Sequence, residues 1–416
     1  MLWMNNDKLA ITFAGGVNEV GHNCLICEND NSAVIIDCGI KPLPGADWTY
    51  NPPPRLDLLD ELLKKKKKIV AIISHFHLDH SGAVRELFAR NIPVFISQES
   101  VPFTVRYSDT LKIPPGAQFQ IYNKNNDLEI GDLKISFFPV QHSIPGAHAV
   151  LIKCGKKSIL HTGDFKMNGM ENSLEKSRAT FQEIKNKAGE IDCLILNVLN
   201  IEMDGFTPRE QLTLDSIERV ISYSSGRVII TFFSSNIERM RGILKIAERL
   251  NRTVGVSGRN MTDSYIQITG RRPYRDGKIV LITGSQGENN SALSRMVNGE
   301  HALSSSGQDT DIFSSRGIPG NEEKIKDTVE KLHKSGATVI MHHEEAKKLG
   351  LSFNPEETIA HSSGHGYRGD QQDVVKITKP GMIVPFHAPE ESCEMFERLI
   401  GGKRTQRLSV GETLKI

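Results

Sequence analysis

The segment IVAIISHFHLDHSGA sets four metal-capable side chains, His75, His77, Asp79 and His80, within six residues directly after an apolar run. No other stretch of the chain constrains the fold as strongly. An isolated histidine is usually a hydrogen-bonded core residue, but three imidazoles and a carboxylate at the end of a buried strand are costly unless paired or metallated. Nitrogen and oxygen donors at this density suit two borderline divalent ions. If His75 and His77 point the same way from an extended strand end they share one ion, and Asp79 and His80 on the following turn face a second.

Two ions need further ligands, and the chain offers candidates at other strand ends. SFFPV runs into Gln141-His142-Ser143, SILHTG runs into Asp164, and MIVPF ends at His387. A carboxylate such as Asp164 can bridge two ions, and bridged ions about 3.5–4 Å apart suit in-line displacement at phosphorus.

The 416 residues suggest two or three domains. With 51 Lys and Arg against 50 Asp and Glu, the net charge of +1 excludes a globally basic, histone-like nucleic-acid binder but not a local basic groove. No basic start followed by an apolar run of signal length is present, and nowhere do about 18 apolar residues follow one another. A cytoplasmic location without a membrane partner is therefore expected. The six cysteines show no disulfide spacing, and the C-x-x-C of Cys24 and Cys27 lies in the apolar run NCLIC, so buried reduced thiols are expected rather than a metal or redox pair.

Up to residue 165 the chain reads as short strands, KLAITF, NCLICEN, SAVIIDCG, KIVAIIS, IPVFIS, LKISFFPV, AVLIKC and KSILHTGD, bounded by turn-forming residues. Helical spacing is seen in RLDLLDELLKKKKK (55–68) and SGAVRELFAR (81–90), which predicts sheets covered by helices. From about 205 to 355 strands and helices alternate at βαβ spacing, the pattern of a second α/β domain with a parallel sheet. Short strands return after about 360 with MIVPFHAP, a helix over ESCEMFERLI, and RLSVGETLKI. The run Lys64 to Lys68 reads as a solvated helix C-terminus favoured by the helix dipole, in preference to a phosphate contact.

Two loops carry donors suited to a phosphate chain. HSSGHG (361–366) combines glycines that permit close backbone approach with hydroxyls and imidazoles, and a histidine there can act as general acid. SSNIER (234–239) lies where a strand becomes a helix, so Ser234, Ser235 and Asn236 present hydroxyls and helix N-terminal amides, an anion site or a plain N-cap.

In order along the chain, SHFHLDHSGA, QHSIPGA, HTGDFK and PFHAPEE resemble the metal motifs of the metallo-β-lactamase fold. AGGVNEVGHN, IIDCGI, TFFSSNIERM, VSGRNM, ITGSQGE, SSRGIPGNE and HSSGHG resemble its β-CASP branch, nearest to the ribonuclease J group, and the resemblance runs from residue 9 to about 412. It implies an α/β fold: an αββα metallo-β-lactamase sandwich (1–205 and the return segment 359–416) with an inserted parallel α/β β-CASP domain (206–358). It further implies two Zn(2+) ions, with Mn(2+) the alternative, and RNA cut in the cleft between the domains. His75, His77 and His142 would hold one zinc and Asp79, His80 and His387 the other, with Asp164 bridging them. The bridging water would then be the nucleophile on the scissile phosphate. Asp79 and Asp164 count as catalytic through the ions, and His365 through its place beside them. His361, Ser363 and Gly364 would lie near the RNA phosphates. Ser234, Ser235 and Asn236 would receive the 5′-monophosphate that guides 5′→3′ exonucleolysis of single-stranded RNA, with endonuclease action as a second activity. The dimerisation domain that bacterial relatives carry at their C-terminus has no counterpart before residue 416, so a homodimer would form without it.

One departure from the family pattern stands out. The family ends the strand before the insertion with an acidic residue near the metals, whereas this chain reads LNVLNIEMDGFT and places Asn197 there, with Glu202 and Asp204 nearby. That change raises an alternative, a weakly active or inactive RNA-binding homologue. A small-molecule metallo-hydrolase is the other, which would leave the HSSGHG and SSN loops without a purpose. Charge is also uneven. Residues 226–275 hold ten Arg or Lys against three acids, +7, so the other 366 residues sum to −6. A basic lobe beside an acidic metal-holding body is expected to draw a phosphate chain across the ions.

Overall fold

A computed structural model of the chain describes residues 8–41, 51–106, 111–171, 173–318, 320–353, 355–357 and 361–416. Three sheets organise it. The first, in spatial order, contains Thr413–Lys415, Ala10–Gly15, Cys24–Glu28, Ser32–Ile36, Lys68–Ile72, Val94–Ser97 and Gln120–Tyr122, antiparallel up to Ser32–Ile36 and parallel beyond it. The second contains Met382–Phe386, Cys193–Asn197, Lys157–His161, His148–Cys154, Leu133–Pro139 and Leu128–Ile130, the first three parallel and the rest antiparallel.

Strand periodicity decides how these two sheets pack. In Ser32–Ile36, Val34 and Ile36 face one core while Ala33 and Ile35 face another, the two-residue alternation of a pleated strand. The shared core joins Ile11, Phe13, Val34 and Ile72 of the first sheet to Ile135, Val150, Ile195 and Val384 of the second. Behind the first sheet lie the helices Leu56–Lys64 and Val84–Ala89; behind the second lie Leu174–Ala188, Arg368–Thr378 and Glu390–Phe396. The result is an αββα sandwich. Cys24 and Cys27 face opposite sides of their strand, in different cores, and all six cysteines are buried free thiols.

The third sheet is parallel throughout: Val254–Ser257, Ile279–Ile282, Val228–Thr231, Thr310–Phe313, Thr338–Met341 and Glu356–Glu357. Helices Glu210–Tyr223, Ile237–Arg249 and Arg259–Thr269 cover one face, and Ala292–Val297, Glu322–Lys334 and His343–Leu349 cover the other. Among the described residues no helix is long and apolar enough to cross a membrane.

Two local expectations need correction. The helix read over 55–68 stops at Lys64, because Lys66 turns the backbone left-handed (φ 54°) and Lys68 opens the next strand. The lysine run is also partly neutralised, since Lys65 and Lys67 both pair with Glu28, at 2.7 and 2.6 Å. The helices Leu174–Ala188 and Arg368–Thr378 add to the elements anticipated from sequence.

The parallel sheet buries one carboxyl without full compensation. Burial pushes Asp311 up to about 7, with Asp309 adding to the rise, against a single donated hydrogen bond from Ser305 at 2.6 Å. The unfolded chain, with an ordinary value of 3.8, loses this proton first. The stability contributed by neutral Asp311 is therefore complete below about pH 4 and is lost as pH rises to about 7. Asp311→Asn should gain about 3 kcal/mol in stability relative to the native protein between about pH 4.5 and about pH 8, as read from urea-unfolding curves at the two pH values.

Candidate metal centre

The ends of the strands bring the candidate ligands to one edge of the sandwich. Lys68–Ile72 delivers His75 and His77, and the short helix Leu78–Ser81 that follows carries Asp79 and His80. His142 follows Leu133–Pro139, Asp164 follows Lys157–His161, and His387 follows Met382–Phe386. His387 has a left-handed backbone (φ 57°), costly for a residue with a Cβ, and its N–H is tied to Gly16 O at 2.7 Å. Loop 37–40 passes directly beneath the helix that bears Asp79. A Cβ on Gly39 would lie 1.6 Å from Asp79 O, so only glycine fits there.

Seven side chains converge in two groups, His75, His77, His142 and Asp164, and Asp79, His80, Asp164 and His387, with the ligand atoms of each group within 4.8 Å of one another. The buried Asp164 Oδ2 lies at the middle. His80 Nε2 is 3.1 Å from it, His75 Nε2 3.6 Å, and His142 and His387 Nε2 both 3.9 Å. His77 Nδ1 lies 3.2 Å from His75 Nε2 and 3.0 Å from His142 Nε2, and Asp79 Oδ2 lies 3.5 Å from His387 Nε2.

These residues fit a divalent metal on three observations. Asp164 Oδ2 is buried and ringed by imidazole nitrogens, of which only His80 Nε2, at 3.1 Å, comes within hydrogen-bond distance. The nitrogen spacings are near the edge of a tetrahedron with 2.0–2.1 Å bonds, about 3.3 Å. For two of the ligands the far side is held by a protein acceptor that keeps a proton on Nδ1 and turns Nε2 inward: His142 Nδ1 lies 2.7 Å from Gly364 O, and His80 Nδ1 2.7 Å from Asp37 Oδ2.

Charge states point the same way. Burial, reinforced by the neighbouring imidazoles, keeps His75 and His142 well below the usual histidine range, and burial pushes His387 down to about 4. Burial opposes ionisation of Asp164 too, but His80, His387 and His365 outweigh it and hold the carboxyl well below its ordinary value. For His80, burial is outweighed by Asp164, Asp37 and Asp79, which raise it. A proton on His80 thus stands where a cation would, and a bound metal would take its place.

The substrate-side candidates line one cleft of about 500 Å³ that opens onto this centre: Ser234, Ser235, Asn236, His361, Ser363 and Gly364, together with His365. Asn236 Oδ1 caps the helix Ile237–Arg249 by accepting from Arg239 N at 3.0 Å, so the plain N-cap is part of its role. His361 is buried against Arg239, whose Nη1 lies 3.0 Å from its Nδ1, and burial with Arg239 and Arg316 nearby keeps the imidazole neutral. None of the ten basic residues of segment 226–275 lines the cleft, contrary to the expected basic lobe. Acids Asp79, Glu202, Glu288, Glu344 and Glu345 outnumber Arg316 and Lys348 there. Three of the ten are taken up by acids outside the segment: Arg239 by Glu210 at 2.7 Å, Arg249 by Glu218 at 2.7 Å, and Arg227 by Asp309 at 3.0 Å.

Asn197, the last residue of its strand, sits inside the centre. Its Oδ1 accepts from Leu199 N at 2.9 Å, which turns the amide NH₂ toward Asp164 Oδ1 at 2.6 Å and His365 Nδ1 at 3.1 Å. An acid there would face the Asp164 carboxylate, whereas the amide donates to it. Of the nearby acids, Asp204 pairs with Arg368 at the surface, while Glu202 lines the cleft. Sequence reasoning assigned no role to Asp37 or Asn23, which lie in IIDCGI and AGGVNEVGHN. Asp37 accepts from Ser74 N and Oγ at 2.7 and 2.8 Å as well as facing His80, and the Asn23 amide lies 2.6 Å from His387 Nδ1 and 3.0 Å from Asp79 O.

Three family profiles match the chain. The family profile of the metallo-β-lactamase superfamily matches residues 17–222, that of the ribonuclease J β-CASP domain 225–332, and that of the Zn-dependent metallo-hydrolase RNA specificity domain 354–407. Ribonuclease J of Mycobacterium tuberculosis is 30% identical over 411 residues, covering 92% of this chain and 69% of the relative. Ribonuclease J of Sinorhizobium meliloti is 29% identical over 448 residues, covering 99% and 75%. In three dimensions the chain resembles the crystal structure of a protein of unknown function from Enterococcus faecalis V583, with a TM-score of 0.67, 17% identity, and 98% and 100% of the two chains covered.

Asp37→Asn should fold, since asparagine tolerates the left-handed backbone there (φ 64°) and its amide oxygen can still accept from Ser74 N, and should weaken divalent metal binding about 10- to 100-fold. Competition against a metal-sensitive dye measures the change.

Proposed function

Because the chain belongs to the ribonuclease J family of metal-dependent β-CASP hydrolases acting on RNA, we propose that it shortens single-stranded RNA in the cytoplasm, 5′→3′ from a 5′-monophosphate end, with endonucleolytic cutting as a second activity. Two ions, zinc or alternatively manganese, would occupy the centre, one on His75, His77 and His142, the other on Asp79, His80 and His387, with Asp164 shared. The observation that carries this reading is the convergence of these seven side chains around one buried carboxylate oxygen at the base of the cleft. We also divide the chain at 205/206 and 358/359, so that residues 206–358 form the insertion and 359–416 return to the sandwich.

When bound, the ions supply Lewis-acid activation of the attacking water and offset charge on the scissile phosphate. The side chains do the rest. His365 accepts the Asn197 amide hydrogen on Nδ1, so its own proton sits on Nε2, where a donor to the departing oxygen is needed. Its backbone is fixed by Ser363 Oγ, 3.0 Å from His365 N, and by the Thr207 hydroxyl donating to His365 O at 3.0 Å. His361, kept neutral, offers an uncharged hydrogen bond to a phosphate oxygen, beside the hydroxyls of Ser234, Ser235 and Ser363.

The test is hydrolysis of one labelled RNA bearing either a 5′-monophosphate or a 5′-triphosphate, with manganese or zinc added. The monophosphate form should be converted to mononucleotides about tenfold faster, the magnitude of one or two charge-assisted hydrogen bonds. Equal rates at the two ends would remove the 5′-end pocket, and internal fragments alone would make the enzyme an endonuclease.

A further inference from the structure

The acid-rich cleft leaves the basic surplus of the inserted domain without a role, and the structure shows where part of it collects. We propose that the outer edge of the parallel sheet, carrying Arg271, Arg272, Tyr274, Arg275 and Arg295, is a second binding surface for single-stranded RNA that engages the part of a long strand lying outside the cleft. The inference rests on the ribonuclease reading.

The backbone here is held in place. Gly270, in a left-handed conformation (φ 69°), ends the helix Arg259–Thr269, and the chain then returns along Val254–Ser257, the edge strand of the sheet. Val256 N donates to Tyr274 O at 2.8 Å, and Tyr274 pairs with Gly255 in a parallel bridge. Gly255 permits this close approach, since a Cβ on it would lie 2.5–2.7 Å from backbone atoms of Asp276. The side chains, by contrast, face water. Tyr274 is 76% exposed, the highest value among the exposed large hydrophobic residues, so its ring contributes little to any core.

Arg271, Arg272, Arg275 and Arg295 are exposed, and among the described residues their guanidinium groups make no hydrogen bond or ion pair. Arg295 belongs to the helix Ala292–Val297, yet it shares this edge. His301, whose Nε2 lies 3.1 Å from Ser257 Oγ on the edge strand, is lowered by burial and then by both Arg295 and Arg275. The neighbouring acid Asp276 faces Arg227 at 3.5 Å. Unpaired guanidiniums around an exposed aromatic ring suit single-stranded nucleic acid, in which phosphates meet the cations and a base stacks on the ring whatever its sequence.

The test compares metal-loaded native protein with Tyr274→Ala, Tyr274→Phe and the double variant Arg271→Ala/Arg272→Ala on 5′-monophosphorylated RNAs of about five and about 30 nucleotides. All the altered side chains are exposed, so folding should be unaffected. On the long RNA, kcat/KM should fall about tenfold in Tyr274→Ala and in the double variant, stay near native in Tyr274→Phe, and remain unchanged for all variants on the short RNA. The log–log salt slope of long-RNA binding should fall by about 0.7 for each arginine removed. Unchanged hydrolysis of the long RNA, or equal losses on both RNAs, would overturn the proposal. So would variants that lose binding to polyglutamate but not to RNA, which would make the edge a site for an acidic protein. If the native protein hydrolyses neither RNA the ribonuclease reading fails, and fluorescence anisotropy of the labelled 30-mer still decides the surface by the same criteria.

Discussion

A single carboxylate oxygen, Asp164 Oδ2, is buried among the inward nitrogens of His75, His80, His142 and His387. A buried anion needs positive charge beside it, and imidazoles that burial holds neutral cannot all supply it. The arrangement is stable either with a proton shared by His80 between Asp164 and Asp37, or with cations in its place. Much of the architecture serves this requirement. Both sheets end their parallel strands at the same edge, and the antiparallel strand Cys24–Glu28 begins there, which is why Asn23 reaches His387 and Asp79.

The insertion is tied to that centre through buried charge as well. Arg239 is fully buried. It pairs in bidentate fashion with Glu210, at 2.7 and 3.0 Å, and also reaches Ser314 O, His361 Nδ1 and Ser362 O. One guanidinium thus connects the first helix of the insertion, a strand end of the parallel sheet and the HSSGHG loop. Removing one partner from such a pair typically costs about 3–5 kcal/mol, because the other charge remains buried. Asp370 has a parallel role among backbone amides, accepting from Met167 N, Thr207 N and Tyr367 N at 2.6, 2.8 and 2.9 Å. It fastens together the segments that follow Asp164, enter the insertion and follow His365.

What could be read in the sequence was what local pattern encodes. The ligand-bearing residues sit next to apolar strands, so strand and ligand are visible together, and the βαβ alternation of the insertion is equally local. Asp37 and Asn23 carried no such mark. Asp37 meets its partner His80 across 43 positions, and a lone Asp after a strand is also ordinary turn chemistry. The helix Leu174–Ala188 buries only Ser177, Phe181, Ile184 and Ala188, too sparse an apolar stripe to stand out from its polar residues. Charge counted by segment misled for a related reason. Arg227, Arg239 and Arg249 are neutralised by acids distant in sequence, and none of the remaining surplus lines the cleft, part of it collecting on a sheet edge instead. Asn197 was legible as a departure, but its consequence was not: the amide donates to both Asp164 and His365, a role that needs its orientation, set by Leu199 N, as well as its identity.

The most direct measurement of the central claim, that one buried carboxylate holds two divalent ions, is calorimetric titration of chelator-treated protein with manganese or zinc, for the native chain and for Asp164→Ala. The account predicts two equivalents bound by the native chain and fewer than two by the variant at the same concentrations, with the variant still folded by circular dichroism. A native chain that binds one equivalent or none, or an Asp164→Ala protein that still binds two with native affinity, would contradict it.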